Sequence, residues 1–286
     1  MRKGAEDIAR RTAGRVNLKF YAGGSMGSDR AVMRKIRAGQ LHGGALTGGA
    51  LSDVYHDAQL YSLPMLFRSE AELDYVKARM DKILAQGVEE RGFVTFGFTY
   101  GGFAYLMSSN PIRVVGDLKQ QKIWVPEGDD IARALFETLG VSPVPLPITD
   151  VLTGLQTGLV STVASTTAGA IALQWHSKVK YVTDVPALYV YGVLALDKKA
   201  WQRLAPGDQK IVREVMDAIF TNLDKQNRLD DHNAREALRK QGIEFVAMTP
   251  DEIAKLRKAA DDTTDRLGKQ GAFSLTQRKV VREHID

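Results

Sequence analysis

Residues 206–242 read "PGDQKIVREVMDAIFTNLDKQNRLDDHNAREALRKQG". The stretch keeps one helical pattern from Pro206, which suits a first helical turn, to Gly242, which suits a stop. One helix of this length would reach beyond a single ordinary layer of structure. What lies on either side decides what it ties together.

Upstream, strand and helix patterns alternate. Residues 1–13 read as part of an amphipathic helix, and 15–23 ("RVNLKFYAG") as a strand. A helix over 28–39 takes Ser28 as N-cap. A short strand follows at 43–49. Residues 69–86 form a helix with Ser69 and Glu72 as a capping box and Gly87 as its stop. Strands are expected at 92–102 and 122–125, a helix at 131–140 and extended chain at 142–147. A short helix at 149–158, extended chain at 160–166, a helix at 168–178 and two strand-like stretches within 180–197 complete this part. Downstream of the long helix come a strand in "IEFVAM" and a helix capped by Thr249, with Pro250 in its first turn. The pattern predicts an α/β protein with mainly parallel sheets, in two lobes tied by the long helix. Lobe I takes 1–101 and 191–230, and lobe II takes 102–190 and 231–286. Chain crossings are expected near Gly101–Gly102 and Tyr189–Tyr191.

The 286 residues are 44% apolar and 26% charged, as in a globular protein. No run of about eighteen apolar residues exists, so no transmembrane helix is expected. The basic start "MRKGAEDIARRTAGR" has no apolar core, so it does not read as a signal peptide. Cysteine is absent, which excludes disulfides and thiolate metal sites. The net charge is +5, but the two signs are interleaved, which argues against nucleic-acid binding.

Enzyme motifs are few. "GGSMG" at 23–27 fits G-x-S-x-G between a strand and a helix, which would make Ser25 an esterase nucleophile. Only one strand precedes it, and "HGG" at 42–44 follows rather than precedes it, so a glycine-rich turn explains it better. His42, His56, His176, His232 and His284 form no zinc spacing. Glu127, Asp129 and Asp130 suit a helix start better than a cation site. The acidic pair before His232 reads as a solvated helix face. No dinucleotide or Walker fingerprint is present, and no cofactor is expected.

Several segments in order carry a resemblance: "GRVNLKFYAGGSMGSDRAVMRKIRAGQLHGG" (14–44), "LPMLFRSEAE" (63–72), "SSNPIRVVGDLKQQKIWVP" (108–126), "TLGVSPVPLP" (138–147), "TDVLTGLQTGLV" (149–160), "VKYVTD" (179–184) and "LAPGDQKIV" (204–212). Over nearly its whole length the chain resembles the DctP-type extracytoplasmic solute receptors of TRAP (tripartite ATP-independent periplasmic) transporters. The resemblance implies a periplasmic-binding-protein-like fold with a cleft between two lobes and a long helix spanning both. It implies a monomeric periplasmic receptor, not an enzyme, that captures a small organic ligand and hands it to small and large membrane subunits. Family members begin with a strand ahead of the first helix, and that strand is missing from this chain.

The resemblance also locates a site. The family's carboxylate-binding arginine falls on Trp124 in "KIWVP", its second arginine on Ala104 in "GGFAYLM", and its acidic-Asn pair on Ala164 and Ser165. Loss of both arginines argues against a simple dicarboxylate ligand. Trp124 is expected to stand as an aromatic wall opposite Thr47, with Tyr100 and Trp175 as further walls. Thr47, Tyr100, Ser165, Thr166 and Thr167 are expected to hold the ligand by hydroxyls and main-chain N–H groups. A sensory receptor for a signalling partner is the alternative the same fold allows.

Overall fold

A computed structural model describes residues 1–285. The chain opens with α1 (Arg2–Arg11), which turns Ile8 inward, and α2 (Asp29–Arg37), where Ser28 Oγ accepts from the Ala31 N–H at 3.4 Å. β1 (Gly43–Thr47) runs into the short α3 (Gly48–Leu51). α4 (Glu70–Glu90) begins where Ser69 Oγ accepts from the Glu72 N–H at 3.3 Å, while the Glu72 carboxylate reaches the Arg68 N–H. It passes through Gly87 instead of stopping there. A side chain at 87 would fall 2.3 Å from the Tyr55 ring, so this glycine serves a close approach inside the helix. β2 (Phe93–Ser108), β3 (Trp124–Pro126), α5 (Asp130–Thr138), β4 (Val144–Leu146) and α6 (Val151–Thr157) follow. Then come β5 (Thr162–Ser165), α7 (Thr167–Ala172), β6 (Tyr181–Thr183), β7 (Leu188–Asp197) and α8 (Lys198–Gln202). α9 (Pro206–Lys240) is the expected long helix, of 35 residues. β8 (Glu244–Val246), α10 (Pro250–Lys269) and α11 (Leu275–Glu283) close the chain, with Thr249 Oγ1 capping α10 as expected.

Two further expectations are corrected. Residues 15–22 form no strand; Val16 is buried with Ile8, Val94 and Phe96 without joining a ladder. The sheets are also mixed rather than mainly parallel. β1 pairs β7, and β2 pairs both β5 and β6, antiparallel, whereas β3–β4 and β6–β8 are parallel pairs. The hydrogen-bonded order is β1-β7-β2-β6-β8, with β5 also on β2. Most neighbours are distant in sequence, so local strand–helix alternation does not fix their direction.

The chain divides into two compact units. The first comprises Met1–Gln59, Lys77–Tyr100 and Tyr191–Gln226; the second comprises Leu60–Val76, Gly101–Val190 and Asn227–Asp286. The stretch 60–76 therefore groups with the second unit, where the sequence reading has it in the first. The first unit's core gathers Ile8, Phe96, Leu194, Trp201, Val212 and Met216, with Arg213 lying over the Phe96 and Trp201 rings. In the second unit one cluster is built on Met107, Trp124, Val163, Trp175, Val182 and Leu238.

Candidate functional site

Trp124 lies at the start of β3 and is 5% exposed. Its ring meets Trp175 edge to face, with centroids 5.1 Å apart and planes at 74°. Its Nε1–H donates to the Leu146 carbonyl at 2.9 Å. Both tryptophans belong to the second unit's core, and the indole's one donor is used inside it. Trp124 and Trp175, expected as aromatic walls, thus pack against each other within this unit. β3 has parallel β4 on one side, and the indole bonds to that same strand, so position 124 builds the core here. Ala104 is 2% exposed, and its carbonyl accepts from the Ala187 N–H at 2.8 Å.

The hydroxyl residues are buried too, with Ser165, Thr166 and Thr167 at 9%, 8% and 1% exposed. β5 ends at Ser165, and Thr166 caps α7 by accepting from the Gly169 N–H at 3.0 Å. Thr167 Oγ1–H donates to Asp231 on α9, lying 2.6 Å from Oδ1 and 2.9 Å from its carbonyl oxygen. The Ala168 N–H is 3.4 Å from the same Oδ1. One turn further along α9, the Arg235 guanidinium donates to Asp184 Oδ1 at 2.5 Å and lies over the Tyr105 and Phe245 rings. Tyr105 is the register partner of Ser165 across β2 and β5. Ser165, Thr166, Thr167, Tyr105, Asp231 and Arg235 thus form one polar cluster beside the tryptophan core.

Gly102 completes the cluster. Its φ is +110°, in the region that favours glycine, and a Cβ there would lie 3.2 Å from the Asp231 carboxyl and from Thr166. Burial pushes the Asp231 carboxyl above its ordinary pKa, against the opposing pull of the Thr167 and Ala168 hydrogen bonds. Burial likewise raises the Tyr105 phenol, and the Arg235 charge acts against that shift.

Asp231, Arg235 and Tyr105 escape a reading from sequence, which takes the acidic pair at 230–231 as solvated. The signal was spacing: Asp231 falls three and seven residues before Ala234 and Leu238, both buried, on one face of α9. A carboxylate on a buried helix face needs a partner, and Thr167 is that partner.

The two remaining predicted residues belong to the first unit. Thr47, exposed at the end of β1, donates its N–H and its hydroxyl to Asp29 Oδ2 at 2.9 and 2.8 Å. Tyr100 is 1% exposed, and its N–H donates to Asp224 Oδ1 at 2.6 Å. Ser25 is exposed on a turn with no strand before it, which removes the strand–turn–helix context an esterase elbow requires. Asp129 caps α5 by accepting from the Ala132 N–H at 2.9 Å. Among the described residues no acidic or histidine cluster is suited to a metal ion, and no helix is long and apolar enough to cross a membrane.

The raised Asp231 pKa gives a signed expectation. A carboxyl whose folded pKa exceeds its unfolded value adds stability below the unfolded pKa, and that stability is lost as pH rises through the folded value. Asp231→Asn keeps an acceptor for Thr167 and cannot ionise. The melting temperature of the wild type should therefore gain on that of Asp231→Asn as pH falls from 7 to 4. Parallel profiles would show that the Asp231 carboxyl does not titrate abnormally.

This mixed α/β architecture is that of the periplasmic solute-binding proteins of TRAP transporters. The structure of such a protein from Xanthobacter autotrophicus, with bound β-D-galacturonate, matches at a TM-score of 0.88 and 21% identity, covering 99% of this chain and 92% of that one. A Shewanella oneidensis protein with bound succinate matches at 0.89 and 16%, covering 99% and 93%. The chain belongs to the bacterial extracellular solute-binding protein family 7, DctP, whose family model matches residues 2–270. The resemblance read in the sequence therefore holds. Among curated relatives, the 2,3-diketo-L-gulonate-binding periplasmic protein YiaO of Escherichia coli is 21% identical over 244 residues, 84% of this chain. The match spans 73% of the length of YiaO, and across the curated relatives the share runs from 34% to 73%.

Proposed function

We propose that this protein is a periplasmic solute receptor, acting as a monomer, that captures a hydroxylated small organic acid by closure of its two units and delivers it to TRAP membrane subunits. It performs no catalysis on that ligand. The observation that carries the ligand class is the composition of the polar cluster. Ser165, Thr166, Thr167 and Tyr105 supply hydroxyls, Asp231 supplies an acceptor, and the one arginine, Arg235, is held by Asp184. Positions 104 and 124 hold buried apolar side chains in place of the family's arginines. A dicarboxylate desolvated without a free bidentate partner is costly. Hydroxyls on a ligand can instead exchange hydrogen bonds with the threonines and with Asp231.

Thermal unfolding with added ligand tests this. A native-state binder at 100 times its Kd stabilises by about 2.7 kcal/mol, several degrees for a chain of this size. β-D-Galacturonate should raise the melting temperature and succinate should not, and Thr167→Val should reduce the galacturonate shift. A larger shift with succinate than with galacturonate would overturn the ligand class.

A further inference from the structure

A cavity separate in its lining from the polar cluster is present in the structure. It holds about 680 Å³ and lies wholly within the first unit. Its walls come from α2 (Arg37), the chain after α3 (Asp53), the turn from α4 into β2 (Arg91), and the join of β7 to α8 (Asp197, Lys198, Lys199). Gly43 pairs Leu196 and Thr47 pairs Gly192, so this groove sits at the end of the strands opposite Thr47. From Phe93 to Tyr100 is seven residues of strand, roughly 23 Å at about 3.3 Å each.

The groove's acids are engaged and several of its bases are open. Asp197 Oδ2 accepts from the Ala200 N–H at 2.8 Å, and Asp53 lies 3.8 Å from Arg30. Lys198 pairs with Glu89 at 3.2 Å. Arg37 and Arg91 donate to the backbone carbonyls of Asp53 and Gly87, at 3.5 and 3.1 Å, and Arg91 lies over the Tyr55 ring. Among the described residues neither has a carboxylate partner, nor does Lys199. Arg30, Arg34 and Arg37 recur at helical spacing on α2 leading to the groove. Residues 1–37 carry ten Lys and Arg against three Asp and Glu. Such a field steers a negatively charged partner towards the groove.

We infer that the first unit carries a second recognition site: a basic groove that takes an acidic segment of a partner protein. Its cations are spread over several elements along an open trough, which suits side-chain carboxylates presented along a peptide. Arg37 and Arg91 can each still grip a carboxylate in the two-pronged manner, and Lys199 adds a point charge. The inference does not depend on which small ligand the protein binds.

A fluorescein-labelled heptaglutamate peptide is the probe, titrated into the full chain without small ligand. The wild type should bind it with an affinity that falls as salt rises. Arg37→Glu/Lys199→Glu should weaken binding at least tenfold. Lys3→Glu/Lys210→Glu changes the net charge equally, at exposed sites outside the groove, and should leave binding within twofold. Circular dichroism checks the fold of each variant, and Arg37→Gln/Lys199→Gln replaces the charge reversal if that variant misfolds. Equal weakening by both double variants would reduce the effect to net charge and overturn the site. Stronger capture by phosphatidylglycerol vesicles or inorganic phosphate, with the same dependence on Arg37 and Lys199, would overturn the protein partner. Absence of peptide binding by the wild type would overturn the inference outright.

Discussion

Trp124→Ala should destabilise the protein by about 3–5 kcal/mol, the range for truncating a large buried aromatic. Three losses add. The indole leaves a void among Met107, Val163 and Trp175, the edge-to-face contact with Trp175 disappears, and the Leu146 carbonyl keeps only the longer bond from the Glu127 N–H, at 3.3 Å. For a chain of this size the melting temperature should fall by on the order of 10 °C. Trp124→Phe should keep most of the packing and lose chiefly the Leu146 hydrogen bond, about 1 kcal/mol. Trp124→Arg should fail to unfold cooperatively, since the charge would enter an apolar cluster without a partner. The denaturation midpoints of the three variants decide the matter. Near-native stability in Trp124→Ala, with loss of ligand affinity alone, would return the residue to the ligand's surface.

Gly101→Ala carries the second large effect. A Cβ at 101 would lie 2.7 Å from the Val190 carbonyl oxygen and 3.0 Å from its carbon. Both are backbone atoms of a neighbouring strand, so no side-chain rotation relieves the clash. β2 and β7 would have to separate where each passes from one unit to the other. A cost of about 2–3 kcal/mol is expected, at the upper end for overpacking. Gly192→Ala is the control: the nearest atom to a Cβ there is 4.0 Å away. Chemical denaturation of both should show a large drop for the first and a small change for the second.

The long helix, the caps at Ser28 and Thr249 and most strand positions were legible in the sequence, because each rests on local pattern or a single side chain. Strand direction was not, because β1 finds β7 and β2 finds β5 across long sequence separations. Residues 15–22 alternate like a strand, yet alternation supplies no partner. Of the expected ligand-holding residues, Ser165, Thr166 and Thr167 follow one another at the end of β5 and the start of α7. The packing of the two tryptophans and the engagement of Asp231 were not legible. Trp124 aligns with a ligand-holding position of the family, but whether its side chain turns to ligand or core depends on the room Trp175 and Met107 leave. Asp231 became visible only once Thr167 was placed beside it.

The division of the chain also bears on how the protein is made. The passages between units fall at Gln59/Leu60, Val76/Lys77, Tyr100/Gly101, Val190/Tyr191 and Gln226/Asn227. The last four lie inside α4, β2, β7 and α9 rather than in linkers. The first unit needs Leu194, Trp201 and Val212 to cover Ile8 and Val16. During synthesis the ribosome must emit all of 101–190, which belongs to the other unit, before those residues appear. At about 10 residues per second this takes roughly nine seconds. Throughout that interval the N-terminal third has no complete core, so a nascent chain halted before residue 191 should be protease-sensitive along its whole length.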